Sequence, residues 1–564
     1  MSPALFLTLR RLRAPIILLI VVFSVGIVGL VLIPGIDEQG REWHLTIFQA
    51  LYFMTYTATT IGFGELPRAF SHAQRVWVSL VIFGSVVGWA YLVAALLSLG
   101  RDRAFQSALI LGRFRRTVRG LREPFHIICG FGETGSLVGR ALDRFGSRFT
   151  VVEIQAERVQ ALELTDLVQE APGLAADARL PDNLLSAGLT SPCCRGVLAL
   201  TDDDRANLAV AMCVRMLNPR IPVLARAMDQ STAANMASFG TDHIINPFST
   251  FGGYLALAVA SPGGYRLLSW LTGLPGTTLK RETAPPRGHW VVCGYGRFGR
   301  EVVKAFRGLG LDITIIEPKG TRAEGLHTVA GRGTEADTLM EAGVAESVGI
   351  VAGTDDDVNN LSIAVTAREL NPKLFTVVRQ NLQANAALFG RFAADITMVS
   401  SEVIANECLA RMNTPLLSDF LDLIRSRGDA WADAVIEKMQ ATIGTESPET
   451  WTVQITAADA PALDLAIRSG AAQIRLNDLC RDPADRMRRL QAIPLYLIGR
   501  GRSIVMPEED LVIKTGDEVL FAGCRRAARA QRSILRNLNT LRYTVDGVDL
   551  PGGWIWQWLS RRRS

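Results

Sequence analysis

The sequence predicts a mixed fold: two membrane-spanning α-helices, then two α/β domains with parallel sheets, then a small C-terminal α+β lobe. Three observations predict it. Two long uncharged apolar stretches lie within the first hundred residues, a strand–glycine-loop–helix pattern occurs twice after them, and later landmarks repeat at a fixed distance. A mean hydropathy of +0.20 with 20% charged residues also fits a chain that is part membrane and part soluble.

The two apolar stretches are long enough to cross a bilayer. Residues 14–34 and 76–100 carry no charged side chain, and at 1.5 Å per residue each can span a hydrocarbon core of roughly 30 Å. The first lacks the small-residue cleavage site of a signal peptide. Arginines flank the two stretches, and the loop between them is acidic, so we expect a multi-pass protein of the inner or plasma membrane with both termini cytoplasmic. The flanking charges are Arg10, Arg11, Arg13, Arg101 and Arg103, and the loop acids are Asp37, Glu38 and Glu42.

A shorter apolar segment, residues 43–59, lies between the two spans and is typical of a re-entrant helix. Backbone carbonyls replace the water shell of K⁺ when they all point one way, and glycine tolerates the backbone angles this requires. The alternative to such an ion-coordinating loop is a glycine-rich turn that only connects two hydrophobic helices. The segment runs directly into Thr60, Ile61, Gly62, Phe63, Gly64 and Glu65.

This hexapeptide resembles the selectivity filter of potassium channels, Thr-Val-Gly-Tyr-Gly followed by an acid, with Ile61, Phe63 and Glu65 as the departures. The resemblance implies K⁺ as the permeant ion and a homotetramer, because one filter loop per chain needs four chains to close a ring. It also implies a gating hinge at Gly84, which lies 20 residues after Gly64. The alternative for Gly84 is close helix packing.

The dinucleotide fingerprint follows the membrane segment. A short apolar strand, residues 125–129, precedes Gly130, Gly132 and Gly135, and a second strand ends at Glu153, 23 residues after Gly130. Strand, Gly-x-Gly-x-x-Gly, helix, strand and acid is the order of a Rossmann nucleotide site. A carboxylate at the ribose favours NAD or adenosine phosphates over NADP.

The same pattern recurs 164 residues later. Gly294, Gly296 and Gly299 follow residues 289–293, and Glu317 again lies 23 residues after the first glycine. Later landmarks repeat at a distance of 153 residues, which indicates an internal duplication. The repeated landmarks are Thr201, Asp202, Asn207, Asn218 and Arg226, matched by Thr354, Asp355, Asn360, Asn371 and Arg379.

These motifs resemble the RCK (TrkA-N/TrkA-C-like) domains that regulate K⁺ conductance, over residues 124–525. The resemblance implies that Asp177 contacts adenine and that the later arginine reaches phosphate. The second copy has Arg332 where the first has Asp177, so we expect the first copy to be the better site and keep an empty structural core as the alternative for the second. The candidate nucleotide residues are Gly130, Gly132, Glu133, Thr134, Gly135, Glu153, Asp177, Thr201, Asp202, Arg226, Gly294, Gly296, Arg297, Phe298, Gly299, Glu317, Arg332, Thr354, Asp355 and Arg379.

The layout resembles the GsuK- and MthK-like bacterial channels, in which a ring of eight RCK domains hangs below the pore. We therefore predict a K⁺ channel gated by NAD or ADP/ATP. The predicted boundaries are a cytoplasmic N-terminus 1–13, a pore domain 14–100 (outer helix 14–34, pore helix 43–59, filter 60–64, inner helix 74–100), a linker 101–123, RCK domains 124–275 and 288–430 joined by 276–287, a C-terminal lobe 431–545 and a tail 546–564.

Ca²⁺ stays open as a further ligand. Glu402, Glu407, Asp419 and Asp422 could ligate it, although a solvated helix face is the simpler explanation of these acids. The eight cysteines lack metal-site spacing and indicate reduced thiols in the cytoplasm. The net charge of +5 is spread along the chain and gives no case for nucleic acid.

Two other function classes compete with a channel. A membrane-anchored NAD-dependent oxidoreductase would need an acid, base or metal beside the nicotinamide, and the sequence offers no such constellation. A regulatory subunit of a K⁺ transporter would resemble the soluble part but needs no filter of its own. We therefore expect a protein that is not an enzyme.

Overall fold

The computed structural model describes residues 3–36, 40–59, 61–65, 68–101, 103–273, 284–318, 325–413, 415–470, 473–499 and 501–548. The chain divides into two compact units, residues 1–120 and 121–564. Most of the inter-copy linker predicted at 276–287 and nearly all of the predicted tail fall outside the described residues.

The first unit is helical. Two of its helices contain segments long and apolar enough to cross a membrane, Leu12–Leu32 and His72–Ser98. The elements are α1 (Pro3–Leu32), a short pair β1 (Gly35–Ile36) and β2 (Glu42–Trp43), α2 (Ile47–Ala58), α3 (His72–Arg101) and α4 (Arg103–Gly120).

Small residues let α1 and α3 approach closely. A Cβ on Gly29 would lie 2.1 Å from the Trp77 ring, and one on Gly26 would lie 2.9 Å from Met54 and from Val81. Trp77 Nε1 donates to the Gly26 carbonyl at 3.3 Å. The apolar face of α2 fills the remaining space, with Met54 1% exposed. The two spans and the re-entrant helix thus form one packed bundle.

The re-entrant helix α2 starts four residues later than predicted. Thr46 caps it: the Thr46 hydroxyl accepts from the Gln49 amide at 3.3 Å, and the Gln49 side chain accepts from the Thr46 amide at 3.0 Å. This reciprocal capping box satisfies two free helix-end donors. The predicted linker 101–123 is also mostly helical, as α4, whose Phe114 and Val118 are buried.

The first α/β domain has a six-stranded, wholly parallel sheet in the order β5-β4-β3-β6-β7-β8. The centre strands are apolar and buried on both faces, as expected where helices cover both sides. The elements are β3 (Phe125–Cys129), α5 (Glu133–Arg144), β4 (Arg148–Glu153), α6 (Ala156–Glu163), β5 (Gly173–Ala175), α7 (Pro181–Ser186), β6 (Cys194–Ala199), α8 (Asp204–Leu217), β7 (Val223–Arg226), α9 (Gln230–Ser238), β8 (His243–Ile245), α10 (Pro247–Ala260) and α11 (Pro262–Thr272).

The second domain repeats this sheet with the same strand order, β11-β10-β9-β12-β13-β14. The duplication read from the sequence is therefore a duplication of structure. The elements are β9 (His289–Cys293), α12 (Arg297–Gly308), β10 (Asp312–Ile316), β11 (His327–Val329), α13 (Ala336–Glu341), β12 (Gly349–Ala352), α14 (Asp357–Leu370), β13 (Phe375–Gln380), α15 (Ala386–Phe392), β14 (Ile396–Val399), α16 (Ser400–Asn413) and α17 (Pro415–Ser426).

The two domains exchange their crossover helices. Phe248 of α10 packs edge-on against Phe298 of the second domain, with ring centroids 5.8 Å apart. In return Ile404 and Cys408 of α16 enter the core of the first domain. Each Rossmann core is therefore completed by a helix from the other copy, so the two domains form one cooperative unit.

The exchange brings equivalent positions together. Tyr254 of α10 and Glu407 of α16 are 153 residues apart, the repeat distance, and the Tyr254 hydroxyl donates to the Glu407 carboxylate. Arg411 Nε lies 2.9 Å from the other Glu407 oxygen. Burial, together with the charge of Glu407, raises the pKa of Tyr254 well above its usual value, so this contact holds a neutral tyrosine against a carboxylate.

The C-terminal lobe combines a four-stranded antiparallel sheet, in the order β15-β20-β18-β19, with short helices. This matches the predicted α+β character. The elements are α18 (Asp429–Ile443), β15 (Glu449–Gln454), α19 (Pro461–Arg468), α20 (Leu476–Leu479), β16 (Arg481–Asp482), β17 (Asp485–Arg489), β18 (Ala492–Gly499), β19 (Arg502–Val505), β20 (Glu518–Gly523), α21 (Arg525–Arg536) and α22 (Leu538–Asp546).

Candidate pore loop and nucleotide sites

The pore loop, residues 61–65, turns back on the C-terminal end of α2. The Ile61 and Gly62 amides both donate to the Tyr56 carbonyl, at 3.0 and 3.2 Å. Gly62 and Gly64 have φ angles of +64° and +70°, in the left-handed region. Nothing lies within 4 Å of the Cβ position on either glycine, so conformation and not crowding requires glycine there. Thr60, the first residue of the predicted filter, lies outside the described residues.

The left-handed glycines Gly62 and Gly64 alternate with Ile61 and Phe63 along the loop. Such an alternation turns successive carbonyl groups toward one side of an extended segment, which is what a row of K⁺ sites needs. The side chains of Ile61 and Phe63 are 61% and 66% exposed in the single chain. Large apolar side chains this exposed indicate a surface that lipid or other chains cover.

Two tyrosines of α2 hold the outer end of this loop. The Tyr52 hydroxyl donates to Glu65 Oε2 at 3.1 Å, and the Tyr56 hydroxyl donates to the Glu65 carbonyl at 3.2 Å. The Phe63 ring meets Tyr56 edge-on, with centroids 6.4 Å apart. The sequence shows that Phe63 lacks the hydroxyl of a tyrosine, but it does not show that Tyr52 and Tyr56 support the loop instead. The i, i+4 spacing of these two tyrosines is the sequence signal from which this support could have been predicted.

The inner helix α3 contains two glycines in different surroundings. A Cβ on Gly88 would lie 2.8 Å from Leu19, whereas a Cβ on Gly84 would meet only Val22, at 3.5 Å. Close packing within one chain therefore explains Gly88 but not Gly84. The hinge stays a proposal for Gly84, and packing is the better account of Gly88.

We expect Gly84→Ala to assemble normally and to lower the open probability of reconstituted protein. Glycine disfavours a straight helix by about 1 kcal/mol relative to alanine, so the substitution should favour the unbent helix by about fivefold per chain. Gly88→Ala is the matched variant and should instead lower the thermal stability in detergent. Single-channel recording of Gly84→Ala with the parent's open probability would contradict the hinge.

The first glycine loop joins β3 to α5 at the carboxyl edge of its sheet. Gly130 has a φ of +92°, and a Cβ there would lie 2.8 Å from the Thr201 backbone. A Cβ on Gly135 would lie 2.1 Å from the Gly130 carbonyl oxygen. Gly132 is the N-cap of α5, and Thr134 within its first turn is buried. The amides at the start of α5 therefore stand at the loop, where a pyrophosphate can bind.

Glu153 lies at the end of β4 and is 3% exposed. Its Oε2 accepts from the Phe131 amide at 2.5 Å, and its Oε1 accepts from the Gln155 amide at 2.9 Å. Arg158 Nη1 lies 3.9 Å from the same Oε2. The predicted ribose acceptor thus also braces the glycine loop, a role that the sequence pattern does not reveal.

The second glycine loop has the same construction. Gly294 has a φ of +90°, and a Cβ on Gly299 would lie 1.9 Å from the Gly294 carbonyl oxygen. The Tyr295 amide donates to Glu317 Oε2 at 2.7 Å. Gly296 is the N-cap of α12, with open space around its Cβ position. The glycine loop of the second copy therefore has the same backbone construction as that of the first.

Each site has an arginine at the end of a neighbouring strand, partly buried in the first copy and buried in the second. Arg226 Nη1 lies 2.6 Å from Asp202, and Arg379 Nη1 lies 2.6 Å from Asp355. Within the described residues neither arginine Nε has a hydrogen-bond partner. The Arg379 guanidinium stands 4.8 Å from the Phe248 ring centroid, and burial lowers its pKa against the opposing effect of Asp355.

Two asparagines that the sequence marked only as repeat landmarks organise these strand ends. Asn207 is fully buried; its Nδ2 donates to the Thr201 and Arg226 carbonyls at 2.9 and 3.0 Å. Asn360 makes the equivalent bonds to Thr354 and Arg379 at 2.9 and 2.8 Å. A fully satisfied buried amide fixes the distance between two loops at the site.

The remaining acids have structural partners. Asp177 forms an ion pair with Arg179 at 2.7 Å, and this arginine's hydrogen bonds lower the Asp177 pKa. Asp203 caps α8, and Asp204 accepts from the Met228 amide at 2.8 Å. Among the described residues no group of three or more His, Cys, Asp or Glu side chains could hold a metal ion. The structure therefore does not bring Glu402, Glu407, Asp419 and Asp422 together as a Ca²⁺ site.

Comparison with known proteins agrees with the descriptions of both the membrane segment and the two α/β domains. The ion channel family model matches residues 16–101, and the TrkA-N domain model matches residues 126–247 and 290–400. The chain therefore combines one ion channel domain with two TrkA-N domains. The two apolar helices of the ion channel domain indicate a membrane protein, and the two TrkA-N domains have the Rossmann-type fold.

Two curated relatives and one solved structure illustrate the similarity. "Probable potassium channel protein 2" of Methanocaldococcus jannaschii is 25% identical over 39% of this chain and 63% of its own length. A Methanothermus fervidus protein is 25% identical over 43% of this chain and 37% of its own. The chain thus spans less than two thirds of either relative. The structure described as "GsuK Channel" matches 94% of this chain and 98% of its own, at 16% identity and a TM-score of 0.46.

Proposed function

We propose that four copies of this chain form a potassium-selective channel that is opened or closed by NAD or adenosine phosphates bound to its RCK domains. The observation that carries the proposal is the pore loop between two membrane-spanning helices. Left-handed Gly62 and Gly64 leave a row of carbonyls free of side chains. A dehydrated K⁺ ion requires such carbonyls in place of its water shell.

A single chain cannot complete this site. One loop supplies carbonyls on one side of the ion only, so a ring of four loops is needed, and the exposed side chains of Ile61 and Phe63 would then lie between neighbours. Four chains carry eight RCK domains, enough for a complete ring without a separately made protein. The exchanged helices α10 and α16 make each pair of domains one rigid building block for that ring.

The positive charges before the first span and after the second support an orientation with both termini in the cytoplasm of an inner or plasma membrane. The RCK domains would then meet cytoplasmic nucleotides. All eight cysteines are free thiols, which suits that reducing compartment.

Uptake of radioactive Rb⁺ into liposomes tests the proposal. Purified protein should load Rb⁺ into vesicles prepared with K⁺ inside, and external K⁺ but not Na⁺ should compete. The assay is repeated with NAD⁺, NADH, ADP, ATP and Ca²⁺ in turn, and at least one nucleotide should change the uptake rate. Uptake that Na⁺ blocks as well as K⁺ would contradict selectivity.

Nucleotide choice gives a second prediction. Glu153→Gln replaces one carboxylate oxygen by an NH₂ group, so either the Phe131 or the Gln155 amide loses its acceptor, and the ribose acceptor loses its charge. Losing a buried charge-assisted bond of this kind costs about 1.5–3 kcal/mol, so we expect NAD⁺ affinity at the first site to fall at least about tenfold. Glu157→Gln, an exposed acid on α6, is the control and should leave affinity unchanged. Calorimetry in which the parent binds NADP⁺ as tightly as NAD⁺ would refute the role of Glu153.

A further inference from the structure

The two glycine loops carry opposite charges at the same position. Glu133 follows Gly132 as the first residue of α5, and Arg297 follows Gly296 as the first residue of α12. Both side chains are exposed. Phosphate groups bound by a Rossmann loop lie against this helix end. The reversal therefore falls where the negative charge of a nucleotide is concentrated.

Glu133 is held at the mouth of its loop by the other copy. Its Oε1 accepts from the Gln383 amide at 3.0 Å, in the segment after β13. That segment is itself fixed, because Asp357 accepts from the Asn381 amide at 2.6 Å and from Asn385 Nδ2 at 2.7 Å. The carboxylate of Glu133 thus remains a fixed negative charge beside the first phosphate site.

The second loop gains further positive charge from Arg300, where the first has Ser136. Arg300 Nε donates to the Tyr295 carbonyl at 3.2 Å, and its guanidinium lies 5.5 Å from the Tyr295 ring centroid. Arg300 is therefore held against the loop itself. Arg297 beside it forms no ion pair within the described residues, so its charge is available to a ligand.

The third strand of each sheet ends with the same kind of reversal. Asp177 follows β5 and is neutralised by Arg179 at 2.7 Å. Arg332 follows β11, is exposed, and has no ion-pair partner in the described part of the chain. Because β11 pairs with β10 in a parallel sheet, Arg332 stands at the same carboxyl edge as Glu317 and the glycine loop.

The rest of the two sites is alike. Both have the acid after the second strand, Glu153 and Glu317, and both have the strand-end pair, Asp202–Arg226 and Asp355–Arg379. These shared groups recognise what all adenine nucleotides share. The charged residues that differ, Glu133 against Arg297 and Asp177 against Arg332, can therefore separate ligands by the charge of their phosphates.

We propose that the two sites take different ligand classes: the first a dinucleotide such as NAD, the second a nucleoside di- or triphosphate. The negative charge of NAD lies only on its bridging pyrophosphate, whereas ADP and ATP have a terminal phosphate that Arg297, Arg300 and Arg332 would meet. Glu133 repels that terminal phosphate at the first site. The inference rests on the proposed nucleotide function and assigns each half of the ring its own signal.

Chains with one working site test the partition. Gly132→Asp leaves only the second site and Gly296→Asp only the first; both glycines are N-caps with ordinary negative φ angles of −75° and −73°, so neither substitution strains the backbone. Calorimetry on the full chain in detergent should show NAD⁺ at least about tenfold tighter than ATP in Gly296→Asp, and the reverse in Gly132→Asp.

A charge reversal then tests the residue itself. In the Gly132→Asp chain, Arg297→Glu should weaken ATP at least about tenfold and NAD⁺ by less than about twofold. Arg307→Glu, in the last turn of the same helix, makes the same charge change away from the loop and should alter neither. The inference of two ligand classes would be overturned if both sites showed the same preference between ATP and NAD⁺, or if Arg297→Glu left the ratio of the ATP and NAD⁺ affinities unchanged. Either result would leave the proposed nucleotide function standing. A full chain that binds no nucleotide would overturn the proposed nucleotide regulation together with the inference.

Discussion

Gly62→Ala is expected to abolish K⁺ conduction. Gly62 has a φ of +64°, which an L-residue adopts at a cost of roughly 1–2 kcal/mol. In a tetramer the cost is incurred four times around one ion path. The loop would relax by rotating the peptide and turning a carbonyl away from the ion, so the ring of ligands would be broken. Liposomes containing this variant should take up no more Rb⁺ than empty ones.

Gly40→Ala is the matched control for backbone strain. Gly40 has a φ of +73°, and nothing lies within 4 Å of its Cβ position, so its local cost equals that at Gly62. It lies in the loop between the spans, outside the predicted filter. Gly40→Ala should conduct like the parent. If Gly62→Ala conducts, or if Gly62→Ala and Gly40→Ala lose Rb⁺ uptake equally, the loop at Gly62 is not the selectivity filter.

Gly132→Asp is expected to abolish the response to nucleotide bound at the first site while leaving conduction intact. An aspartate at the N-cap of α5 would place a carboxylate where the pyrophosphate binds, near Arg158, whose Nη1 lies 3.1 Å from the Cβ position. The sequence 101–123 is the only covalent path from the inner helix to the first sheet, and a ligand shifts gating only by its differential affinity for the open and closed states.

The required discrimination is modest. A tenfold affinity difference per site is worth about 1.4 kcal/mol, and four sites acting together supply roughly 5.6 kcal/mol, enough to move a two-state gate from about 1:99 to 99:1. Removing one set of sites should therefore shift the open probability by orders of magnitude. Gly296→Asp is the matched variant for the second site. If Gly132→Asp conducts and still responds to NAD⁺ like the parent, the first site is not the sensor.

The fold could be predicted closely because the length of the apolar segments, the glycine motifs and the spacing of the repeats all indicated the same architecture. Apolar length predicted α1 and α3, and the doubled glycine fingerprint predicted two parallel sheets with identical strand order. Spacing within one chain carries that information. The start of α2 was placed four residues early because hydrophobicity alone does not mark a helix end, whereas the Thr46–Gln49 capping box does.

The features that could not be predicted depend on contacts between distant segments. Predicting the exchange of α10 and α16 requires knowing which core each helix completes, and the spacing of residues along the chain does not give that. The support of the pore loop by Tyr52 and Tyr56, and the hold of Gln383 on Glu133, join residues whose types have many other uses. The opposite charges of the two glycine loops can be seen in the sequence. Their effect on ligand choice could not be predicted, because it depends on which side chains lie beside each loop in the fold.

The reversal potential of the reconstituted chain between K⁺ on one side of a bilayer and Na⁺ on the other tests the central claim most directly. Carbonyl coordination by the pore loop predicts a large shift toward the K⁺ equilibrium potential and its disappearance, with the current, in Gly62→Ala. A reversal potential near zero, showing equal permeability to Na⁺ and K⁺, would contradict the account.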